Sequence, residues 1–367
     1  MNLFPSLNKT YTKEQLSARD AQRLAEFIAF GPIVFQVSRL MVKFGILDLL
    51  RDSKNGDGLT REEIATKTGL SDYAVKVLTD ASLSIGSILI NTETDRFTIS
   101  KTGWFLLNDP ATRVNFDFNH DVNYEGFFHL EEALLEGKPA GLKHFGEWDT
   151  VYEGLSSLPE QVQKSWLDFD HFYSDSSFDE ALKIVFSRPT HTLLDVGGNT
   201  GRWAMRCVEY DDKVNVTILD LPQQIEMMRL QTEGKSGAER IDGCGMNILD
   251  NNVPFPSDKH YDAIWMSQFL DCFSEKEIVS ILSRASKIMW DGTRLYIMET
   301  LWDRQKYEPA AFCLTQISLY FTAIANGNSK MYHSDDMKRL VETAGLEIET
   351  IYDHLGQGHS ILVCKLK

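Results

Sequence analysis

The sequence predicts an α/β protein: a C-terminal doubly wound, mostly parallel sheet preceded by an N-terminal, mainly helical domain of winged-helix plan. Three observations predict it. From about residue 190, short β-rich runs alternate with helical stretches, the pattern of a sheet wound by crossover helices. The first run ends in a glycine-rich turn, "LLDVGGNTG", Leu193 to Gly201. Far upstream, "GLTREEIATKTGLSDYAVKVLTDASLSIGSILINTETDRFTIS" reads as helix, turn, helix and a two-stranded wing. The expected division is 1–115 for the N-terminal domain, 116–185 for linking helices and 186–367 for the sheet domain.

Taken in order, "RLAEFIAFGPIVFQVSRLMVKFGILDLL" is apolar almost all round and is expected to be buried on more than one side, at a subunit interface or in an ordinary core. Thr60 and Glu63 form a capping box that starts a helix. Gly69 ends it, and Ser71 or Asp72 starts the next. "SILINTETDRFTIS" supplies two short strands around a polar turn. A winged helix can read DNA through its second helix, but this one offers only Lys76 as a basic group and carries two aspartates. Packing and dimerisation is the better reading. The linking segment is rich in aromatics, among them Phe127, Phe128, Trp166, Phe169, Phe172 and Tyr173, which fill a core or wall an apolar pocket. "HTLLDVG", "VNVTILDLP", "YDAIWMS", "TRLYIMET", "LEIETIYDHL" and "SILVCKL" are the strands. Ligands of such a sheet sit at the carboxyl ends of its strands.

Composition excludes some partners. Of 367 residues, 37 are Lys or Arg and 53 are Asp or Glu, a net charge of −16. That balance repels nucleic acid and anionic membranes. The five cysteines are widely spaced with no C-x-x-C pair, which reads as reduced thiols in a cytosolic protein with no metal site. The first residues lack a basic stretch followed by an apolar one, so no signal peptide is expected. No apolar run approaches the ~20 residues of a membrane span.

The strand ends carry the chemistry. The glycine turn fits neither the G-x-G-x-x-G dinucleotide fingerprint nor a P-loop. It therefore approaches a nucleotide-like ligand without cradling a polyphosphate. Asp195, just before Gly197 and Gly198, suits an amino group on that ligand. Asp220 ends the next strand, where an acidic residue accepts from ribose hydroxyls. At the third strand end, Asn247 and Ile248 are candidates to read an adenine edge and cover its face.

An adenosine with a charged amino-acid tail and no phosphate is S-adenosylmethionine, and here the sequence resembles a known family. "LDVGGNTG", "LDLP" and "MNILD" are similar to the motifs of class I S-adenosylmethionine-dependent methyltransferases, specifically the O-methyltransferases of the caffeate, hydroxyindole and bacterial polyketide type. Asn199 stands for a family glycine and Asn247 for an aspartate. The resemblance covers nearly the whole chain. It implies a Rossmann-like methyltransferase fold, a winged-helix domain that makes an intimate homodimer, and S-adenosyl-L-methionine as cofactor. Leu221, Ser267, Gln268 and Tyr173 join the candidate cofactor contacts. The expected partners are a small aromatic substrate and a second copy of the chain.

The catalytic position departs from the family. Where the family has D-A-I-x-L-K-x-x-L-H-D-W, this chain has "DAIWMSQFLDCF". Asp271 thus takes the place of the histidine general base, Cys272 that of an aspartate, Phe273 that of a tryptophan and Ser267 that of a lysine. Glu299 matches one carboxylate helper of that base, and the second helper falls on Met331. Ser274 and Glu277 cap the following helix, with Phe273 and Ile278 as its staple, so the backbone at Asp271 is expected where the family has it. A free aspartate near pKa ~3.9 faces a phenol near ~10, a gap of roughly 6 units or about 8 kcal/mol. Burial between Phe269 and Phe273 would narrow it. The competing reading makes Asp271 a charge at a helix N-terminus. Cys272 reads as a buried thiol, and His333 and His171 are substitute bases, His333 preferred. Phe127, Trp166, Phe172, Phe269, Phe312, Tyr320 and Met331 are the expected substrate pocket. The alternatives are a C-methyltransferase or a non-methylating relative (decarboxylase or hydroxylase), and a non-catalytic cofactor-binding scaffold. An NAD-dependent dehydrogenase ranks below these because the glycine spacing fails.

Overall fold

The structure, a computed structural model, describes Glu14 and residues 16–367. The segment read above for a signal peptide falls mainly outside them. The described residues form two compact units, one running through Val122 and the other from Asn123.

The first unit contains α1 (Ala18–Ala29), α2 (Gly31–Lys43), α3 (Ile46–Arg51), α4 (Arg61–Thr68), α5 (Asp72–Ile85), β1 (Ile88–Asn91), β2 (Arg96–Ile99), α6 (Lys101–Asn108) and α7 (Pro110–Phe118). The expected punctuation is present. The Glu63 carboxylate accepts from the Thr60 N–H at 2.9 Å and also pairs with Arg96. Gly69 closes α4 in the left-handed region, and Ser71 caps α5. β1 and β2 pair antiparallel from Ile88 opposite Ile99 to Asn91 opposite Arg96. Met41, Leu47, Ile64, Val75, Ile88 and Phe97 form the core beneath them. In the single chain α1 buries no residue, and Phe27, Ile28, Phe30 and Ile33 are 44 %, 68 %, 56 % and 58 % exposed. The stretch thus divides: Met41, Ile46, Leu47 and Leu50 enter the unit's own core, while these side chains of α1 and the start of α2 lie on its surface.

The second unit begins with α8 (Leu130–Glu136), α9 (Val151–Gly154), α10 (Glu160–Ser174) and α11 (Phe178–Val185). Alternation follows: β3 (Thr192–Val196), α12 (Arg202–Tyr210), β4 (Asn215–Asp220), α13 (Pro222–Thr232), β5 (Ile241–Gly245), β6 (Ala263–Ser267), α14 (Glu275–Ser286), β7 (Arg294–Glu299), α15 (Glu308–Tyr320), α16 (Ser334–Thr343), β8 (Leu346–Leu355) and β9 (His359–Leu366). The seven strands lie in the order β5-β4-β3-β6-β7-β9-β8. β3 to β7 are parallel, and β9 runs antiparallel to both β7 and β8. All six residues of β7 are buried, as a central strand covered on both faces requires. Successive β3 residues face opposite sides. Leu193 packs with Trp203, Ile218 and Trp265, whereas Leu194 packs with Met266, Leu270 and Ile278. The order reverses at β3, which pairs with β4 on one side and β6 on the other. That switch point opens a crevice at the carboxyl ends of β3 and β6, where "GGNTG" and "SQFLDC" lie.

Among the described residues no single helix is long and apolar enough to cross a membrane. α1 and α2 pass only together, and they are bent by 67°. All five cysteines are free, and no group of three or more metal-binding side chains occurs among the described residues.

Candidate active site

The turn after β3 is built by backbone geometry. Gly197 has φ +76°, which a side chain rarely adopts, and its N–H donates to the Leu219 carbonyl at 2.8 Å. A Cβ on Gly198 would stand 2.5 Å from Asp195 Oδ2. Glycine therefore leaves the loop resting directly on that carboxylate. Asp220 holds the loop from the neighbouring strand: Oδ2 accepts from the Asn199 N–H at 2.8 Å and Oδ1 from the Leu221 N–H at 2.7 Å. Asn199 sits at φ +49°, a conformation asparagine tolerates better than most residues. Burial pushes the Asp220 carboxyl up, opposed by these two N–H bonds.

Asp195 is 2 % exposed, and its Oδ2 has no hydrogen-bond partner. Burial, then the charge of Asp220, pushes its pKa up to about 8. A buried carboxylate with an orphan oxygen is costly, and a cationic group brought to this loop would offset it. The pair Asp195 and Asp220 under a glycine turn thus fits an amino-acid tail and a ribose. At the third strand end Asn247 is exposed, and its Oδ1 accepts from the Leu249 N–H at 2.9 Å, closing an Asx turn. Ile248 is buried beside it, with its carbonyl held by Arg284.

After β6 the chain turns sharply. Gln268 has φ +44° and donates its N–H to the Met298 carbonyl at 2.9 Å. Its side-chain Oε1 lies 3.1 Å from His359 Nε2, and His359 Nδ1 lies 2.9 Å from Ser177 Oγ. His359 is fully buried, and desolvation lowers its pKa to about 4. The ring is therefore neutral and holds Gln268 from behind. No local pattern marks this role, because His359 opens a strand and Ser177 ends a turn. Ser267 is half-buried at the end of β6, and Tyr173 on α10 has its ring 5.0 Å from Phe169 and 5.1 Å from Phe172.

Asp271 lies in the turn that follows, 5 % exposed, with its pKa raised to about 6 by burial. The Cys272 thiol donates to Asp271 Oδ1 at 3.5 Å. Glu299, at the end of β7, accepts the N–H groups of Phe269 at 3.1 Å and Leu270 at 2.8 Å through Oε1, while Oε2 has no partner. Burial, then the charge of Asp271, pushes the Glu299 carboxyl well above its usual range. Burial and the charge of Asp271 thus favour the protonated form of Glu299. The flanks are pinned: Asn326 donates to the Cys272 carbonyl and the Tyr332 hydroxyl to that of Phe273, each at 2.6 Å. The cap of α14 is formed, with Glu277 accepting from the Ser274 N–H at 2.8 Å and its hydroxyl at 2.6 Å.

Other elements bring polar groups that the sequence did not single out. Asp170 on α10 has its pKa raised to about 7, first by burial and then by the charges of Asp271 and Asp175. Its neighbour Asp168 points away and pairs with Lys164. Nothing in "SWLDFDHF" says which aspartate turns inward. The Tyr152 hydroxyl is sealed from solvent beside Cys272, and burial, then Cys272 and Tyr320, pushes its pKa well above the usual value. Trp166 Nε1 donates to the Tyr320 hydroxyl at 2.7 Å. Among the expected pocket residues, Phe269 packs on Phe273 with ring centroids 4.8 Å apart, and Met331 is buried, its sulfur accepting from Thr300. Phe127 and Phe172 are half-buried. Phe312 is 42 % exposed. One expectation needs correction. His333 is the N-cap of α16: its Nδ1 accepts from the Asp335 N–H at 3.0 Å, its Nε2 lies 3.6 Å from Asp303, and its ring packs edge-on against Trp302. A capping acceptor that also faces a carboxylate is not poised as a substitute base.

Residues 22–97 match the Dimerisation2-like domain and residues 127–347 the O-methyltransferase domain, the latter well over half of the chain. The chain is 23 % identical over 335 residues to an L-tyrosine C(3)-methyltransferase of Streptomyces lavendulae, spanning 90 % of this chain and 88 % of that one. It is 21 % identical to a demethylspheroidene O-methyltransferase of Rhodobacter capsulatus, over 90 % of this chain and 78 % of that one. Its fold is shared with the S-adenosylmethionine-dependent methyltransferase SibL (TM-score 0.68, 21 % identity, 93 % of this chain and 98 % of that one). It is also shared with NcsB1 of neocarzinostatin biosynthesis, solved with S-adenosylmethionine and 2-hydroxy-5-methyl naphthoic acid (TM-score 0.63, 17 % identity, 91 % and 96 %). With the strand order, the glycine turn and these matches in agreement, the chain belongs to the O-methyltransferase family of S-adenosylmethionine-dependent enzymes.

Proposed function

We propose that the protein methylates a small aromatic acceptor, with Asp271 as the group that takes the acceptor's proton. The observation that carries this reading is the buried Asp271–Glu299 pair at the switch point of the sheet. S-adenosylmethionine, when bound, supplies a methyl group on a sulfonium. Asp220 would accept from its ribose hydroxyls and Asp195 would face its amino group. The chain's own task is to position the acceptor and to receive a proton. With Asp271 raised to about 6, the gap to a phenol falls to roughly 4 units, about 5 kcal/mol. Positioning two reactants can supply ~7–11 kcal/mol, so the remaining gap is one that orientation covers. Glu299 keeps the turn in place through the N–H groups of Phe269 and Leu270. Cys272 serves the same end, as a thiol donor to Asp271 rather than a nucleophile.

Carbon methylation is the second reading. It is favoured by the name of the Streptomyces relative, and it needs a proton taken only after transfer. The exposed apolar side chains of α1 and α2, within a stretch matching a dimerisation domain, support a homodimer. Isothermal titration calorimetry with S-adenosylhomocysteine, NAD as control, tests the cofactor reading. Micromolar binding to the wild type, lost in Asp220→Ala, is expected, and its absence would sink the reading. Mass spectrometry with phenolic acceptors then reads the product, and the fragment carrying the added methyl separates oxygen from carbon.

A further inference from the structure

The turn after β6 is tied to a buried chain of polar side chains that the transfer of a methyl group does not itself use. We propose, resting on the cofactor reading above, that Ser177 and His359 are positioning residues that turn the Gln268 amide so that its nitrogen donates to the carboxylate of the cofactor's amino-acid tail.

Gln268 is half-buried at φ +44°, an angle that glycine takes freely and other residues only under constraint. Two bonds hold it there. Its N–H donates to the Met298 carbonyl at 2.9 Å, and its side-chain Oε1 lies 3.1 Å from His359 Nε2. An amide oxygen only accepts, so Nε2 carries the proton of the neutral ring. Nδ1 is then an acceptor, and the Ser177 hydroxyl lies 2.9 Å from it, closer than to its other neighbour, the Leu355 carbonyl at 3.3 Å. The chain thus runs one way, from Ser177 through His359 to Gln268. It leaves the amide nitrogen with both protons and no partner among the described residues. Ser177 and His359 are fully buried, and the hairpin leading into His359 is fastened on two sides. Gln305 Nε2 donates to the Gly358 carbonyl at 2.9 Å, and the Gln357 N–H donates to Ser176 Oγ at 3.2 Å. The imidazole therefore has no room to swing away.

Three contacts join the turns around this amide. The Phe269 ring lies against Gly197, where an added Cβ would stand 2.3 Å from it. Arg202, the first residue of α12, pairs with Asp175 in the turn after α10. Ser177, two residues on, reaches Gln268 through His359. The turns after β3, β6 and α10 thus border one place. A separate observation points to a ligand there: Asp195, near the end of β3, is buried with an unpartnered Oδ2, the group that would face the tail's amino group. A carboxylate one carbon from that amino group needs a donor of its own. Asp195 and Asp220 add only negative charge, and Arg202 is engaged. The Gln268 nitrogen is an uncommitted donor, and its bond to a carboxylate would be charge-assisted.

Titration calorimetry of the full chain uses two probes: S-adenosylhomocysteine, and S-adenosyl-3-thiopropylamine, the same molecule without the carboxylate. The wild type is expected to bind the first about tenfold more tightly. Gln268→Leu and His359→Phe should bind the two alike and keep wild-type affinity for the carboxylate-free probe, which also reports an intact fold. His359→Gln, whose amide nitrogen can take the place of Nε2, should restore most of the preference, and Ser177→Ala, which frees the ring to change tautomer, should lose part of it. Equal affinity of the wild type for the two probes overturns the inference, as does a full preference in Gln268→Leu. Parallel weakening of both probes in Gln268→Leu also overturns it, because an amide turned the other way would offer its oxygen to the amino group. Should the buried His359→Phe bind neither probe, Ser177→Ala decides, and an undiminished preference there removes Ser177 and His359 from the role. Failure of S-adenosylhomocysteine to bind the wild type overturns the cofactor reading itself, and the inference with it.

Discussion

Asp271 and Glu299 set what a single residue can be asked to do. A base must be ionised to accept a proton, and burial lifts the Asp271 pKa to about 6. Turnover is therefore expected to fall as pH drops through about 6 and to level off above it. Asp271→Asn keeps the shape and removes the proton acceptor. It should lower kcat by about 10²–10⁴ and erase that acid limb while leaving S-adenosylhomocysteine affinity unchanged. Stopped assays of methyl incorporation across pH check both, and full activity in the variant would remove Asp271 from the chemistry. Asp220 was legible because its position follows from a strand end and a glycine turn a fixed distance upstream. Asp271 was legible because a motif surrounds it. Asp170, Tyr152 and His359 were not, because no local pattern marks them. They are placed only by the tertiary fold, and two positions along α10 separate Asp170 from exposed Asp168.

At the scale of elements, the pieces that orient the site are short and replaceable, so their contributions can be weighed. The Glu277 carboxylate closes the first turn of α14 by accepting two donors of Ser274. Glu277→Ala should cost about 1 kcal/mol, read as a lower urea midpoint at constant slope. Gly198→Ala is a harsher change. Its Cβ would meet Asp195 Oδ2 at 2.5 Å and Ile218 Cγ2 at 2.9 Å, both in packed surroundings, so about 1–3 kcal/mol of overpacking is expected. S-adenosylhomocysteine binding should weaken with it, because the loop itself must shift. Unchanged affinity would mean that the loop does not form the cradle. The strands were readable because burial on both faces leaves continuous apolar runs, as in "RLYIME". The stretch containing α1 and α2 is only half readable for the same reason. Its apolar residues signal burial but not what buries them, and in one chain Phe30 and Ile33 stay exposed. If they face a second copy, light scattering should report a dimer, and Phe30→Asp with Ile33→Asp should yield monomers.

The whole molecule inherits the sign of these buried carboxyls. Asp195, Asp170 and Asp271 have folded pKa values raised from 3.8 to about 8, 7 and 6. Each folded group holds its proton where the unfolded one has lost it. Their contribution is fully present below about pH 4 and is lost as pH rises through the folded values, at up to about 1.4 kcal/mol per pH unit for each group. His359 opposes this lower down. Its pKa is lowered to about 4, so below about pH 6.5 the unfolded ring gains a proton that the folded ring refuses. The surface carboxylates Glu63 and Glu349, held below their usual range by N–H and guanidinium partners, act only in acid and are screened by salt. Above about pH 6.5, therefore, Asp195, Asp170 and Glu299, whose carboxyl is also pushed well above its usual range, act together, and the unliganded protein is expected to lose stability toward pH 8.5. Denaturation midpoints across that range should fall in the wild type and fall less steeply in Asp195→Asn. Saturating S-adenosylhomocysteine should flatten the same slope, because an amino group beside Asp195 favours its ionised form and makes the proton's departure less costly. A slope equal in wild type, variant and complex would mean that Asp195 neither titrates in this range nor meets the cofactor's amine.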